Sequence, residues 1–357
     1  MRYLEKRFTM INVSLKSIKY ESIKSIFSSI VNADVISRAD ISKETGLSLV
    51  TVGKIADALL DHGVISQAKS IHSRAGRRAN VISINESKFV LVIDLTSYNF
   101  SCSLLNLQMS QIYKNVYTYK SSLSYKENLN VFLRDVIDYL KKNNKLDDCI
   151  GVGITVPGAY DSESDIVDYP PIPELSTCKM LAEMKKVFAN KFTVIDSYTN
   201  AAAKLNIERL DNQDETNVLY WYVGKEYISG AFACGGELIT GKNSRSCDFG
   251  SMLVFDGLTL EDKLKFVKNQ EECAAVLSPV VYNVVKVFSP HTVIMEFETD
   301  YKTDDILTLI KNDLAMKYRV KNNEMPAFIG DTPKNKSALK GLAIELIDLW
   351  LKKIVNS

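Results

Sequence analysis

Two serines in the first fifth of the chain constrain it most, because each opens a short helical run that a glycine then closes. Ser37 stands three residues before Asp40, the spacing of a capping box, and its helix is predicted to stop at Gly46. Ser48 caps a further helix predicted to run to about His62, where Gly63 ends it, with Val52, Ile55, Leu59 and Leu60 as its inward stripe. Upstream, Ser22–Val31 sets Ile23, Ile26, Phe27 and Ile30 on one face at helical spacing. Three helices with a tight glycine turn between the last two make a helix-turn-helix. Val64-Ile-Ser-Gln-Ala and Asn80-Val-Ile-Ser-Ile then read as two short strands, and the stretch between them carries Arg74, Arg77 and Arg78. A β-hairpin with a basic tip is a wing, so residues 1–85 are expected to form a winged helix-turn-helix domain.

Such a motif lays the start of its last helix in the DNA major groove. The residues at that position are Ser48, Leu49, Val50, Thr51 and Lys54. Ser48 and Thr51 can donate to phosphates or base edges, Lys54 supplies charge, and Leu49 or Val50 can meet a thymine methyl. Arg38 and Lys43, on the preceding helix, are expected to hold phosphates and so fix register. Arg74, Arg77 and Arg78 suit a narrow minor groove. Taken singly, each basic residue is equally well a solvated side chain, and a helical protein-interaction module has the same outline. The charge distribution favours a polyanion partner: residues 1–85 hold 13 Lys and Arg against 7 Asp and Glu, whereas the remainder holds 31 against 36.

Beyond residue 85 the pattern changes to that of an α/β chain. Phe89–Leu95 and Phe100–Leu107 read as strands and Val131–Lys141 as an amphipathic helix. Cys149–Val156 is an apolar run of the kind buried on both faces of a sheet, closed by Pro157-Gly158. A second cycle follows, with strands at 192–195, 218–223 and 227–234, a helix over 274–288 and a strand over 292–297. The expected division is a first lobe over 86–200, with a C-terminal helix at about 336–357 packing back on it, and a second lobe over 201–335 for effector binding and dimerisation. Charged residues at 24% fit a globular chain, and no apolar run approaches the eighteen or so residues a spanning helix needs. The first twenty residues show no apolar stretch with a small-residue cleavage site, so no membrane partner and a cytoplasmic location are expected.

The run Ser37-Arg-Ala-Asp-Ile-Ser-Lys-Glu-Thr-Gly-Leu-Ser-x-x-Thr-Val-Gly-Lys-Ile, followed by Gly76-Arg77-Arg78, resembles the ROK family of repressors and sugar kinases. Val92-Ile-Asp-Leu, Gly151-Val-Gly-Ile-Thr-Val-Pro-Gly, Ser197-Tyr-Thr-Asn-Ala-Ala-Ala, Asp248-Phe-Gly-Ser-Met and Phe288-Ser-Pro-His-Thr-Val-Ile resemble further stretches of the family in the same order. The resemblance implies a two-lobed actin-like, ribonuclease H-type body, assembly as a homodimer or tetramer, binding to a double-stranded DNA operator, and control by a sugar, a sugar phosphate or a partner protein. By the same comparison the effector residues would be Ser197, Tyr198, Asn200, Asp248 and Ser251.

Departures from the family pattern bear on chemistry. The kinases' Asp-x-Gly-Gly-Thr loop reads Asp94-Leu-Thr-Ser-Tyr-Asn, without the glycines that let backbone amides approach phosphates. Tyr198 stands where the family's catalytic aspartate accepts the sugar proton, and a phenol near pKa 10 is no base at neutral pH. Asp196, two residues earlier, is several ångströms out of place. Ser251 replaces the family's zinc histidine, and no cysteine follows in Met252–Glu261. Tyr169-Pro-Pro-Ile-Pro offers no sugar-binding asparagine. No sugar-kinase activity, no metal and no cofactor are therefore expected.

Other features read as structural. Gly235-Gly236 suits a tight hairpin, His291 a structural or surface position, and Tyr220-Trp221-Tyr222 an alternating core strand with one face toward the cleft. Cys247 has no histidine near it, and the six cysteines form no ligand-spaced pair. The expected function is a sequence-specific regulator, repressor or activator, of carbohydrate-related genes. The alternatives are a sugar kinase with an added DNA-binding domain, or a regulator whose body only dimerises or docks a protein.

Overall fold

The computed structural model describes residues 15–68, 81–168, 170–210, 216–225, 227–244, 246–254, 257–298 and 301–356. The N-terminal unit comprises α1 (Leu15–Val31), β1 (Ile36–Ser37), α2 (Arg38–Thr45), α3 (Leu49–Asp61), β2 (Ile65–Ala68) and β3 (Val81–Ile84). Both serine caps form: Asp40 N donates to Ser37 Oγ, and Thr51 N to Ser48 Oγ, each at 3.1 Å. Gly46 ends α2 at φ 69°. The inward face of α3 is Val52, Ile55, Ala56 and Leu59, with Leu60 only half buried. Strands β2 and β3 pair antiparallel from Ile65↔Ile84 to Ala68↔Val81, and β1 adds a third strand too short to read from sequence. Arg74, Arg77 and Arg78 lie outside the described residues.

The body contains β4 (Phe89–Asp94), β5 (Phe100–Asn106), β6 (Gln111–Tyr117), α4 (Tyr125–Lys142), β7 (Cys149–Val156), β8 (Ala159–Asp161), β9 (Ile166–Asp168), α5 (Met180–Val187), β10 (Phe192–Ser197) and α6 (Tyr198–Glu208). It continues with β11 (Asn217–Val223), β12 (Ile228–Cys234), β13 (Glu237–Leu238), α7 (Leu260–Leu264), α8 (Gln270–Phe288), β14 (Thr292–Phe297), α9 (Thr303–Asn312), β15 (Ala327–Asp331) and α10 (Ser337–Asn356). The two five-stranded sheets run β6-β5-β4-β7-β10 and β13-β12-β11-β14-β15. Each has the same design: its opening hairpin is antiparallel and its last three strands in chain order of crossover are parallel. This duplicated order is the two-lobed actin-like, ribonuclease H-type architecture, and with the N-terminal unit it makes an α/β chain.

Helices α4 and α5 cover the outer face of the first sheet, and α7, α8 and α9 that of the second. Between the sheets lie α6 and α10, and the apolar cluster they share with both inner faces runs on without a break into α1, α2 and α3. Helix α10 packs on β7, β4 and β10 and most extensively on α6. The Gly235-Gly236 pair forms a two-residue hairpin with φ 59° and 78°, as the backbone twist of such turns demands. His291 ties β11 to β14, its Nδ1 accepting from Asn217 N at 2.9 Å. Among the described residues no helix is long and apolar enough to cross a membrane.

Candidate functional site

Three surfaces matter: the start of α3 and two cavities in the body. At α3, Leu49 and Val50 are 56% and 68% exposed. Thr51 and Lys54 follow on the same turn, with Lys54 fully in solvent reach. Ser48 spends its acceptor on the cap, and its hydroxyl lies 2.9 Å from that of Thr51. Lys43 is exposed and 3.8 Å from Asp40. Arg38 differs from the expectation of a phosphate clamp: its Nη2 donates to Asp57 Oδ1 of α3 at 2.6 Å, so it braces α2 against α3. The guanidinium fork finds a carboxylate one helix away before it can reach outward.

The larger cavity, about 480 Å³, opens between β5, β6 and the start of α10. The loop after β4 shapes one side. There Asp94 Oδ1 accepts from Thr96 N (3.0 Å), Thr96 Oγ1 (2.6 Å) and Thr155 Oγ1 (3.1 Å). The Thr96 amide, which a glycine-rich version of this loop would offer to a phosphate, is thus already committed to a carboxylate. Tyr198, Tyr222 and Tyr227 line the same cavity, their rings following one another at 5.0 Å between centroids and tilted by 51° and 43°.

The smaller cavity, about 230 Å³, holds the volume of roughly seven waters at about 30 Å³ each, a size suited to one monosaccharide. Ser197 and Asn200 form its buried floor at the start of α6, and Asp248 and Ser251 stand exposed at its mouth. Four of the five residues expected to contact an effector are therefore together. Tyr198 is the exception, since the helix turns it away from Ser197 and into the wall of the larger cavity. Tyr227 lines both cavities and separates them. Asp168 and Glu261 also line it, so three carboxylates and no lysine or arginine among the described residues face this space. Burial raises the Glu261 carboxyl above its usual range, and the neighbouring Asp248 adds to the effect. Asp168 directly precedes the Tyr169-Pro-Pro-Ile-Pro segment, which offers no asparagine. It contributes a carboxylate instead, while Tyr169 lies outside the described residues.

At the tyrosine wall three tyrosines are paired with carboxylates. Tyr198 donates to Glu296 Oε1 at 2.7 Å, Tyr222 to Glu298 Oε2 at 2.8 Å, and Tyr220 lies between Glu296 and Asp331, 3.0 Å from the latter. Asn206 Nδ2 also donates to Asp331, at 2.9 Å. Burial, then the nearby Glu296, push the Tyr198 hydroxyl well above the ordinary phenol range, so it keeps its proton. Burial pushes Glu296 up to about 7, against the hydrogen bonds from Tyr220 and Tyr198. Asp331, though buried, is held low by donors from Asn335, Asn206 and Thr332 N. One phenolic hydrogen on Tyr220 cannot serve two carboxylates at once, which favours a proton on Glu296.

Among the described residues no group of three or more histidine, cysteine or acidic side chains is arranged to hold a metal ion. Cys247 sits at φ 59°, its thiol raised to about 11 by burial, and is not poised as a nucleophile.

No protein-family model matches the chain. In sequence it is 24% identical over 265 residues to the xylose repressor of Staphylococcus xylosus, covering 71% of this chain and 66% of that one. It is 25% identical over 236 residues to the putative xylose repressor of Caldicellulosiruptor sp. (strain Rt8B.4), covering 64% of this chain and 57% of that one. The chain thus spans less than two thirds of the length of these relatives. In structure it resembles a ROK family transcriptional regulator described as a homologue of the Escherichia coli MLC protein. The TM-score is 0.73 at 15% identity, over 95% of this chain and all of that one. The chain has the ROK-regulator fold, and its sequence is similar to that of xylose repressors.

Proposed function

We propose that the chain is a sequence-specific DNA-binding repressor of sugar-related genes, whose body reads a neutral monosaccharide in the smaller cavity and does not phosphorylate it. The observation that carries the DNA-binding reading is the start of α3, where exposed Leu49 and Val50 sit beside Thr51 and Lys54. Apolar side chains held outward at the end of a capped helix suit base-edge contact in a major groove. Lys43 on α2 would add a phosphate contact, and Arg74, Arg77 and Arg78, which follow β2 in sequence, would add phosphate or minor-groove contacts.

The effector reading rests on the floor of Ser197 and Asn200 and on the carboxylates of Asp168, Asp248 and Glu261. Carboxylates accept hydrogen bonds from sugar hydroxyls and repel a phosphate, so an unphosphorylated sugar fits better than a sugar phosphate. D-xylose is the first to test, because the relatives by sequence are xylose repressors. Against phosphoryl transfer stand Tyr198, which keeps its proton and faces away from the smaller cavity, and the self-satisfied loop at Asp94. A homodimer or tetramer is proposed with it.

The test is a duplex selected by the full chain from a random-sequence library, titrated at several salt concentrations. Lys54→Ala should weaken binding and reduce the salt slope by about 1, and Arg77→Ala with Arg78→Ala should reduce it by about 2. Unchanged affinity and slope in both variants would overturn the reading. Turnover of ATP with D-xylose or a hexose in a coupled assay would overturn the claim that the body is not a kinase.

A further inference from the structure

Helix α6 begins in the smaller cavity and ends against the DNA-binding unit. Its cap Ser197 and its residue Asn200 form the cavity floor, and its last residue, Glu208, accepts from Lys24 Nζ of α1 at 2.8 Å. Eleven residues at about 1.5 Å each separate the two ends by about 16 Å. Directly behind the floor stands Asp196, whose Oδ1 accepts from Asn200 Nδ2 at 3.0 Å and whose Oδ2 accepts from Lys204 Nζ at 2.9 Å. Lys204 also bonds Glu345 of α10. Burial alone would lower this lysine, but the attraction of Asp196 and Glu345 holds it up to about 12.

The two helices that Lys204 joins are packed against each other with no slack. A Cβ added at Gly341 of α10 would lie 1.8 Å from the Ala201 carbonyl oxygen of α6, so only glycine permits this approach. Helix α10 in turn holds α1. Asp348 is 3.9 Å from Lys24, Lys19 Nζ donates to the Val355 carbonyl at 3.0 Å, and the Lys352 ammonium lies 5.0 Å from the Tyr20 ring centre. From α1 the shared apolar cluster continues to α3.

We propose that Lys204 couples the smaller cavity to the DNA-binding unit by clamping α6 to α10. The inference rests on the effector reading of that cavity. A sugar hydroxyl that draws the Asn200 side chain into the cavity pulls its Nδ2 away from Asp196 Oδ1, its acceptor in the empty cavity. Losing Asn200 leaves Asp196 Oδ1 with the Ser197 amide alone as donor, and Lys204 then redistributes between Asp196 and Glu345. Because α6 and α10 are interlocked, that shift moves the seat of α1 rather than dissipating in a loose contact. The coupling needs no ligand contact with the DNA-binding unit, only two arrangements of one ion pair that the ligand favours unequally.

The test uses the full-length chain with D-xylose as the probe, reading sugar affinity by calorimetry and the amide exchange of α1 by mass spectrometry. In the wild type, sugar should change α1 exchange several-fold. Lys204→Met should bind D-xylose within about threefold of wild type yet leave α1 exchange unaltered by sugar, and Lys204→Arg should restore the response. Lys24→Met, at the partly exposed far end, should likewise silence α1 without touching sugar affinity, and it decides the matter if Lys204→Met does not fold. A sugar response in α1 that survives both methionine variants would overturn the coupling while the effector reading stands. A wild type that does not bind D-xylose at all would overturn the effector reading, and the coupling with it.

Discussion

The start of α3 and the cleft between the two sheets treat their side chains in opposite ways. At α3, Leu49 and Val50 are left in solvent, and Lys54 is exposed and makes no ion pair among the described residues. In the cleft, Tyr198, Tyr220 and Tyr222 are paired with Glu296, Asp331 and Glu298, and the loop at Asp94 consumes its own amide. The lesson is that unused bonding capacity marks a working surface more clearly than conserved-looking motifs do. The α/β body carries family-like strings, yet the positions that would meet a nucleotide are closed upon themselves.

The comparison breaks first at Glu296. Its folded value near 7 lies above the ordinary 4.5, so the native state binds more protons than the unfolded chain between those limits. Stability is therefore lost as pH rises from about 4.5 through 7. Glu296→Gln should remove that slope and gain up to about 3 kcal/mol at pH 8, with little change at pH 4. Urea unfolding at the two pH values checks it, and parallel wild-type and variant profiles would show that the cleft is not the closed network described.

A smaller effect is expected at α3. Val50→Asp puts a carboxylate where phosphates and base edges would approach, and should cost about 2 kcal/mol of operator binding, or about 30-fold. Its melting temperature should stay at the wild-type value, because the side chain is exposed. A stability loss without a binding loss would make this face structural. Smallest is Ser48→Ala, which removes the cap and should cost about 1 kcal/mol of stability, read by thermal melting. It tests whether the cap chiefly holds the start of α3 in place.

The N-terminal unit was legible because its signals are local: a serine cap, a glycine stop and a helical stripe all lie within a few residues of the structure they cause. Strands β7 and β14 were legible for the same reason, as apolar runs with clear ends. Strand β6 was not, because the turn before it places Met109 at φ 62° and so lacks the glycine or asparagine that flags a hairpin. Helix α4 begins at Tyr125, six residues before its apolar stripe becomes visible, on a Ser124–Glu127 capping box. At the candidate site, Ser197, Asn200, Asp248 and Ser251 were reached through family resemblance. Asp168, Tyr227 and Glu261 were missed, since they converge from the end of β9, the turn before β12 and the first turn of α7, and only the folded chain makes them neighbours.

One consequence follows from the apolar cluster that passes from α10 into α1. Winged domains are often pictured as heads on tethers, melting and moving independently of what they are attached to. Here head and body have no separate interior, and removing α10 from α1 would lay bare part of the head's own core. The head and the body should therefore come apart in a single cooperative step, and an excised head would be sticky rather than free.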